Sequence, residues 1–431
     1  TKEFDVVRKS FVTDGFSLPE AKGSVSWIDE NTLIVSSDFG KGTLTTSGYP
    51  RQVKIWERGT DISEAKTIFE GDSTNVGIWG MTINKADNTY TIIHQGVTFF
   101  TSRTYVYEDN EIIKLDIPED ADINDILNKQ VIIHLKSQWK VGGQTYPQGA
   151  LISADYNELL NGKHDIKLIT APTEKNSITS ASATKNMLIV NMLNNVKSEL
   201  YTYKFENGNW KKEKVDAPQM GSIGIVDTDS HSDEYFFNFE NFLSPSTLYF
   251  ANANSGEMSK VKSLPAFFDG SKYKVWQYEA ESKDGTMIPY FVVGPKNMSH
   301  NGRNPTLLNA YGGFEVSRDP FYVGTYGTGW LEQGGVYVLA NIRGGGEFGP
   351  AWHQAGRKEK RQNVFDDFHS VAEDLVSRNI TSSKHLGIMG GSNGGLLVGV
   401  AFTQRPELYE AVVCLVPLLD MKRYNKLLAG A

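Results

Sequence analysis

Cysteine is almost missing from this sequence. Cys414 is the only one in 431 residues, so no internal disulfide can form. It sits in the apolar run Ala411-Val412-Val413-Cys414-Leu415-Val416, where a lone thiol reads as a small apolar residue rather than a nucleophile. No C-x-x-C or H-E-x-x-H spacing occurs, so a metal site has no support and no cofactor is expected. Nor does any stretch approach the roughly 18 consecutive apolar residues of a membrane span, so no membrane partner is expected. Basic charge is also scarce. The formal net charge of −8 argues against nucleic acid, whose phosphates call for a basic surface. The one basic cluster, Arg357-Lys358-Glu359-Lys360-Arg361, is interrupted by an acid and reads as a solvated face. The chain opens at Thr1 without a methionine or a signal-peptide pattern and reads as trimmed. The cytoplasm is the expected compartment, with the periplasm open.

What is present divides into two grammars. Residues 1–272 read as short strands broken by turns, among them Thr32-Leu33-Ile34-Val35, Tyr90-Thr91-Ile92-Ile93 and Met187-Leu188-Ile189-Val190. The exception is Asp122-Ile123-Asn124-Asp125-Ile126-Leu127, whose spacing predicts a short helix. Ser26-Trp27-Ile28 followed by Leu33-Ile34-Val35 is echoed from Ile78, and again near Ser180 and Gly221. Intervals of roughly 45 to 50 residues fit propeller blades better than a β-sandwich and give about five of them. From residue 273 to 431, buried-type strands alternate with helices, which predicts an α/β domain with a parallel sheet and flanking helices. Asp284-Gly285 marks a hairpin, and a helix is predicted from about Asn363 to Arg378 with Val364, Phe368, Val371 and Leu375 on one face.

Within that second region lies Gly390-Gly391-Ser392-Asn393-Gly394-Gly395, the G-x-S-x-G form of a nucleophile elbow. A strand precedes it and an apolar helix follows it, as the motif demands; the other reading is a structural Gly-Ser turn. A serine hydroxyl needs a base to take its proton and a third group to orient that base. In the α/β-hydrolase order both follow the serine. After Ser392 the acids are Glu407, Glu410 and Asp420, and all eight histidines precede it. The triad therefore cannot be completed in that order within this sequence. His353, His369 and His385 are rejected as bases: His385 starts the elbow strand about 20 Å from Ser392, and His369 is placed on a surface helix. Ser392 is the candidate nucleophile, with the backbone N–H of Asn393 as one oxyanion donor. Arg343 and Glu347 sit in a glycine-rich loop that lacks the Gly-Lys-Ser/Thr ending of a phosphate loop, and are expected to form a structural ion pair.

Several stretches, in order, carry a resemblance: Asn309-Ala310-Tyr311-Gly312-Gly313-Phe314, Asn341-Ile342-Arg343-Gly344-Gly345-Gly346-Glu347-Phe348-Gly349, Phe365-Asp366-Asp367-Phe368, the elbow itself, and Gln404-Arg405-Pro406-Glu407-Leu408. With these the chain resembles the prolyl oligopeptidase family of serine peptidases, strongly over 275–431 and more weakly before. The resemblance implies a seven-bladed propeller joined to an α/β-hydrolase domain, and cleavage of short proline-containing peptides after proline. It implies that the Tyr311 hydroxyl is the second oxyanion donor. It also implies that Phe314 and Leu418 belong to the pocket for the substrate proline. The text Val416-Pro417-Leu418-Leu419-Asp420 departs from the smaller residues of the best-known members, which leaves the strictness of proline preference open. Asp420 falls before the family's triad acid and is given no role. By the same resemblance the sequence reads as the middle of a longer enzyme. A dipeptidyl or acylaminoacyl peptidase or an esterase is the alternative within the class. An inactive propeller binding module is the alternative if 431 residues are the whole protein.

Overall fold

The computed structural model describes residues 1–426; residues 427–431 of the predicted second domain lie outside the described residues. Five four-stranded sheets follow one another along the first 263 residues. Their first strands are Ser24–Asp29, Gly77–Asn84, Asp122–Leu127, Asn176–Ala183 and Ser222–Thr228. The recurrence is that of propeller blades and has the spacing the sequence echoes predict.

Why the unit repeats is visible in the side chains. A single sheet cannot bury both faces, so each needs a neighbour. Ile34 and Val53 of the first sheet share a cluster with Ile78 and Ile93 of the second. In the same way Ile189 and Leu200 of the fourth pack with Tyr235 and Phe237 of the fifth. Second strands such as Leu188–Asn194, buried at all but the last residue, are accordingly apolar on both faces.

The short helix expected at 122–127 is instead a strand, hairpinned to Gln130–His134. Asn128 and Lys129 at the turn both have positive φ, 48° and 61°, as a tight two-residue hairpin turn requires. Its register shifts between Ile123 and Asp125. A bulge inserts one residue into the alternation, so positions three apart fall on one face, and this imitates helical spacing.

From Tyr273 onward the chain builds one six-stranded sheet in the order Tyr273–Glu281, Met287–Pro295, Val336–Ala340, Thr306–Asn309, Leu386–Gly391, Ala411–Leu415. The first two strands form the hairpin around Gly285 and run antiparallel; the last four are mutually parallel. Val336–Ala340 is buried at every position, as a strand covered on both faces must be. The helix Gln362–Ser377 buries Val364, Phe368, Val371 and Leu375 against Val292, Leu308, Val338 and Ile388 of the sheet and Leu397 of the next helix, Asn393–Gln404. Each such side chain contributes about 1.5–3 kcal/mol on leaving water. The three loops that follow Asn309, Ala340 and Gly391 emerge at the carboxyl ends of parallel strands, where α/β sheets place their sites.

The described chain divides into two compact units, Thr1–Thr145 with Ile152–Lys167, and Tyr146–Leu151 with the residues from Leu168 on. The last two blades thus group with the six-stranded sheet, rather than with the earlier blades. Among the described residues, no helix is long and apolar enough to cross a membrane. No group of three His, Cys, Asp or Glu side chains placed to hold a metal ion occurs among them.

Candidate active site

Ser392 is the single residue between the strand Leu386–Gly391 and the helix Asn393–Gln404, with φ 56° and ψ −116°. A side chain at positive φ costs of order 1–3 kcal/mol, and surrounding packing has to hold it there. Two close approaches do so. A Cβ on Gly390 would lie 2.1 Å from Gly394 O, and one on Gly395 would lie 2.6 Å from Leu415 O. The Ser392 N–H donates to Leu415 O at 3.0 Å, tying the turn to the neighbouring strand. The side chain is exposed and does not cap its own helix.

Asn393, by contrast, is buried. Its side-chain amide donates to Tyr311 O at 2.6 Å, and its Oδ1 accepts from Arg361 Nη2 at 3.0 Å. The Tyr311 ring lies over the first turn of the helix, 3.7 Å from where a Cβ on Gly394 would stand. The structure thus brings Ser392, Asn393 and Tyr311 together. Phe314 lies at the end of the same loop, 39% exposed, with φ 56°, followed by Glu315 with φ 58°. These two left-handed residues are held by the Glu315 N–H, which donates to Gly344 O at 3.2 Å. Leu418 is half-buried beyond the edge strand. Its neighbours Pro417 and Leu419 press on the elbow helix, at the positions of Gly395 and Gly399.

Three expectations are corrected. Arg343 does not pair with Glu347. It makes a two-pronged bond to Asp367 (Nη2–Oδ1 2.6 Å, Nε–Oδ2 2.9 Å) and a second ion pair with Asp284 (Nη1–Oδ2 2.5 Å). Arg343 holds the Asp284 carboxyl down at about 2. At Asp367 burial pulls upward against the same arginine; the short, doubled bond marks the ionised pair as the resting state. Glu347 is buried elsewhere, accepting from the Arg318 N–H at 2.9 Å, and burial pushes its carboxyl up to about 7.

His369 is not a surface residue either. It is buried, with Nδ1 2.8 Å from the Tyr409 hydroxyl and its ring pushed down by burial. Last, the basic run is not wholly a solvated face. Lys358 and Lys360 are exposed, but Arg361 reaches inward, donating to Gly312 O at 2.6 Å as well as to Asn393. It was legible only from its place directly before the helix whose apolar face packs on the sheet.

A strained serine at a strand-to-helix turn of a mixed sheet, preceded by blade-like sheets, defines the class: an α/β-hydrolase domain joined to a β-propeller. The prolyl oligopeptidase family model matches residues 325–428, and the model of the N-terminal beta-propeller domain of prolyl oligopeptidase matches 1–263. The chain belongs to the prolyl oligopeptidase family. An uncharacterized peptidase of Sinorhizobium fredii is 42% identical over all of this chain and 60% of its own length. A prolyl endopeptidase of Elizabethkingia miricola is 38% identical over 51% of this chain and 31% of its own. A solved post-proline cleaving enzyme from Rickettsia typhi superposes with a TM-score of 0.93 at 36% identity, covering all of this chain and 64% of that one. The chain spans about three-fifths of the length of the curated relatives it matches over its whole length.

Proposed function

We propose that this chain carries the nucleophile and oxyanion pocket of a serine peptidase that cleaves short peptides on the carboxyl side of proline. The observation that carries the reading is Ser392: an exposed hydroxyl at φ 56°, set on a turn that glycines alone permit, beside Asn393 and Tyr311. Ser392 Oγ attacks the carbonyl carbon and gives its proton to a base. The carbonyl oxygen, now negative, takes the Asn393 N–H and the Tyr311 O–H. The C–N bond then breaks, the amine leaves with the proton, and water hydrolyses the acyl-enzyme.

The histidines nearest in sequence are committed elsewhere, His353 to Gly344 O, His369 to Tyr409 and His385 to Ser382. None of them is given the role of base. The pocket for proline is built on the uncharged ring of Phe314, with Leu418 as its second wall. The names of the Elizabethkingia and Rickettsia proteins support a post-proline preference.

The test uses the complete native protein with amino-blocked and free Gly-Pro anilides. Ser392→Ala is expected to lower kcat by at least about 10³-fold with the fold retained. Cleavage of the blocked substrate supports an endopeptidase. Cleavage of the free-amine substrate alone moves the assignment to a dipeptidyl peptidase, and undiminished turnover by Ser392→Ala ends it.

A further inference from the structure

Arg361 is a half-buried cation without a counterion among the described residues. Among the described residues it forms no ion pair, and its guanidinium donates instead to two neutral oxygens, Gly312 O at 2.6 Å and Asn393 Oδ1 at 3.0 Å. Its flat face covers the Phe365 ring at 5.4 Å. A charge drawn partly out of water is ordinarily paired, because an unpaired one gives up hydration with nothing in return. Burial does work against this one, and pushes its pKa down.

The two acceptors are not arbitrary. Gly312 follows Tyr311 directly, and Asn393 follows Ser392. The Asn393 amide closes the circuit by donating to Tyr311 O at 2.6 Å. One guanidinium therefore clamps both segments from which the proposed oxyanion donors project. Two acceptors at a fixed angle suit the planar fork of arginine; a lysine, a point donor on a flexible stem, would satisfy one of them.

We propose that Arg361 is a positioning residue of the oxyanion pocket, one that also leaves an uncompensated positive charge where negative charge develops on the substrate. The proposal rests on the reading of Ser392 as the nucleophile. A counterion would cancel the field of Arg361; two neutral acceptors orient it and leave it intact. A charge already oriented by its two acceptors acts on the transition state without reorganisation.

The experiment compares Arg361→Gln, Arg361→Lys and Lys360→Gln in the complete native protein, with the blocked Gly-Pro anilide and a peptidyl aldehyde. The adduct that the aldehyde forms with the serine carries the oxyanion. Arg361→Gln is expected to lose roughly 10–100-fold in kcat, with a matching loss of aldehyde affinity. KM should stay within about twofold, since the ground state does not use this charge. Arg361→Lys, keeping the charge and one bond, should lose only about 3–10-fold in both. Lys360→Gln, exposed on the same run, should match the wild type. A purely structural role would lower thermal stability and move KM while leaving aldehyde and substrate affinities in their original ratio; that result overturns the proposal, as does an unchanged kcat. If Arg361→Gln does not fold, Arg361→Lys decides, and wild-type kcat and aldehyde affinity in that variant also overturn it. A fluorophosphonate probe reads Ser392 separately. Ser392 labelled beside an indifferent Arg361→Gln overturns this inference alone, and Ser392 unlabelled overturns both.

Discussion

Glu347 shows how a single side chain can be legible in kind and illegible in role. Its loop, with Arg343 four residues earlier, suggests a local ion pair, because opposite charges close in sequence are the cheapest pair to infer. The fold turns Arg343 toward Asp284 and Asp367, on a hairpin and a helix distant in sequence. Glu347 is left among Asn341, Arg318 and Asp319, and its Oε2 has no hydrogen-bond partner. Burial therefore favours its neutral form, with the pKa near 7 against about 4.3 in an unfolded chain. A raised pKa gives stability that is complete below the unfolded value and is lost as pH rises through the folded one. Glu347→Gln, a neutral mimic of the same shape, is then expected to be more stable than the wild type at pH 8 by roughly 1–3 kcal/mol, and about equal to it at pH 4.5. Urea unfolding at both pH values measures this. A difference that does not change with pH would mean that Glu347 is not the titrating group.

At the scale of elements, the elbow was readable because its constraints are local: a serine at positive φ, an apolar strand before it and an apolar helix after it. Even so, the sequence does not say which of the four glycines is required. Gly390 and Gly395 face backbone oxygens at distances no Cβ tolerates, 2.1 and 2.6 Å, and backbone cannot step aside. Gly391 differs: a Cβ there would meet Leu415 Cβ at 3.6 Å, an ordinary contact. Gly395→Ala should therefore cost about 2–4 kcal/mol and misplace Ser392, whereas Gly391→Ala should cost less than about 1. Thermal unfolding together with serine-probe labelling separates them. Equal losses at both positions would show that the turn is not held by the Leu415 carbonyl. The strand at 122–127 is the opposite lesson. A bulge replaced the period of two by an apparent period of three, and no local signal distinguishes that from a helical turn.

On the scale of the molecule, the sequence grammar changes at residue 273, yet the packing does not break there. Phe242, at the tip of the last blade, is 1% exposed. Its ring meets Phe291 of the six-stranded sheet at 5.2 Å and Phe321 at 6.0 Å, in a cluster that also holds Val196, Val293 and Tyr337. Polar ties run in parallel: Ser177 Oγ donates to Glu347 O at 2.9 Å, Ser222 Oγ to Pro320 O at 2.6 Å, and Gln277 Nε2 to Asn195 O at 3.0 Å. Periodicity reports how each sheet buries its own faces; it does not report which sheets share a core, because that depends on residues at blade tips and loop ends, where no period exists. The last two blades and the hydrolase sheet are therefore expected to open as one cooperative unit. Phe242→Ala removes a ring from their shared cluster and should cost about 3–5 kcal/mol. Hydrogen exchange is the measurement, comparing Glu234–Asn241 in the blade with Val336–Ala340 in the sheet. Both strands should lose protection by the same free energy. If exchange quickens in Glu234–Asn241 while Val336–Ala340 keeps its wild-type protection, the blades and the sheet fold separately, and the boundary that the sequence grammar marks at 273 is the thermodynamic one as well.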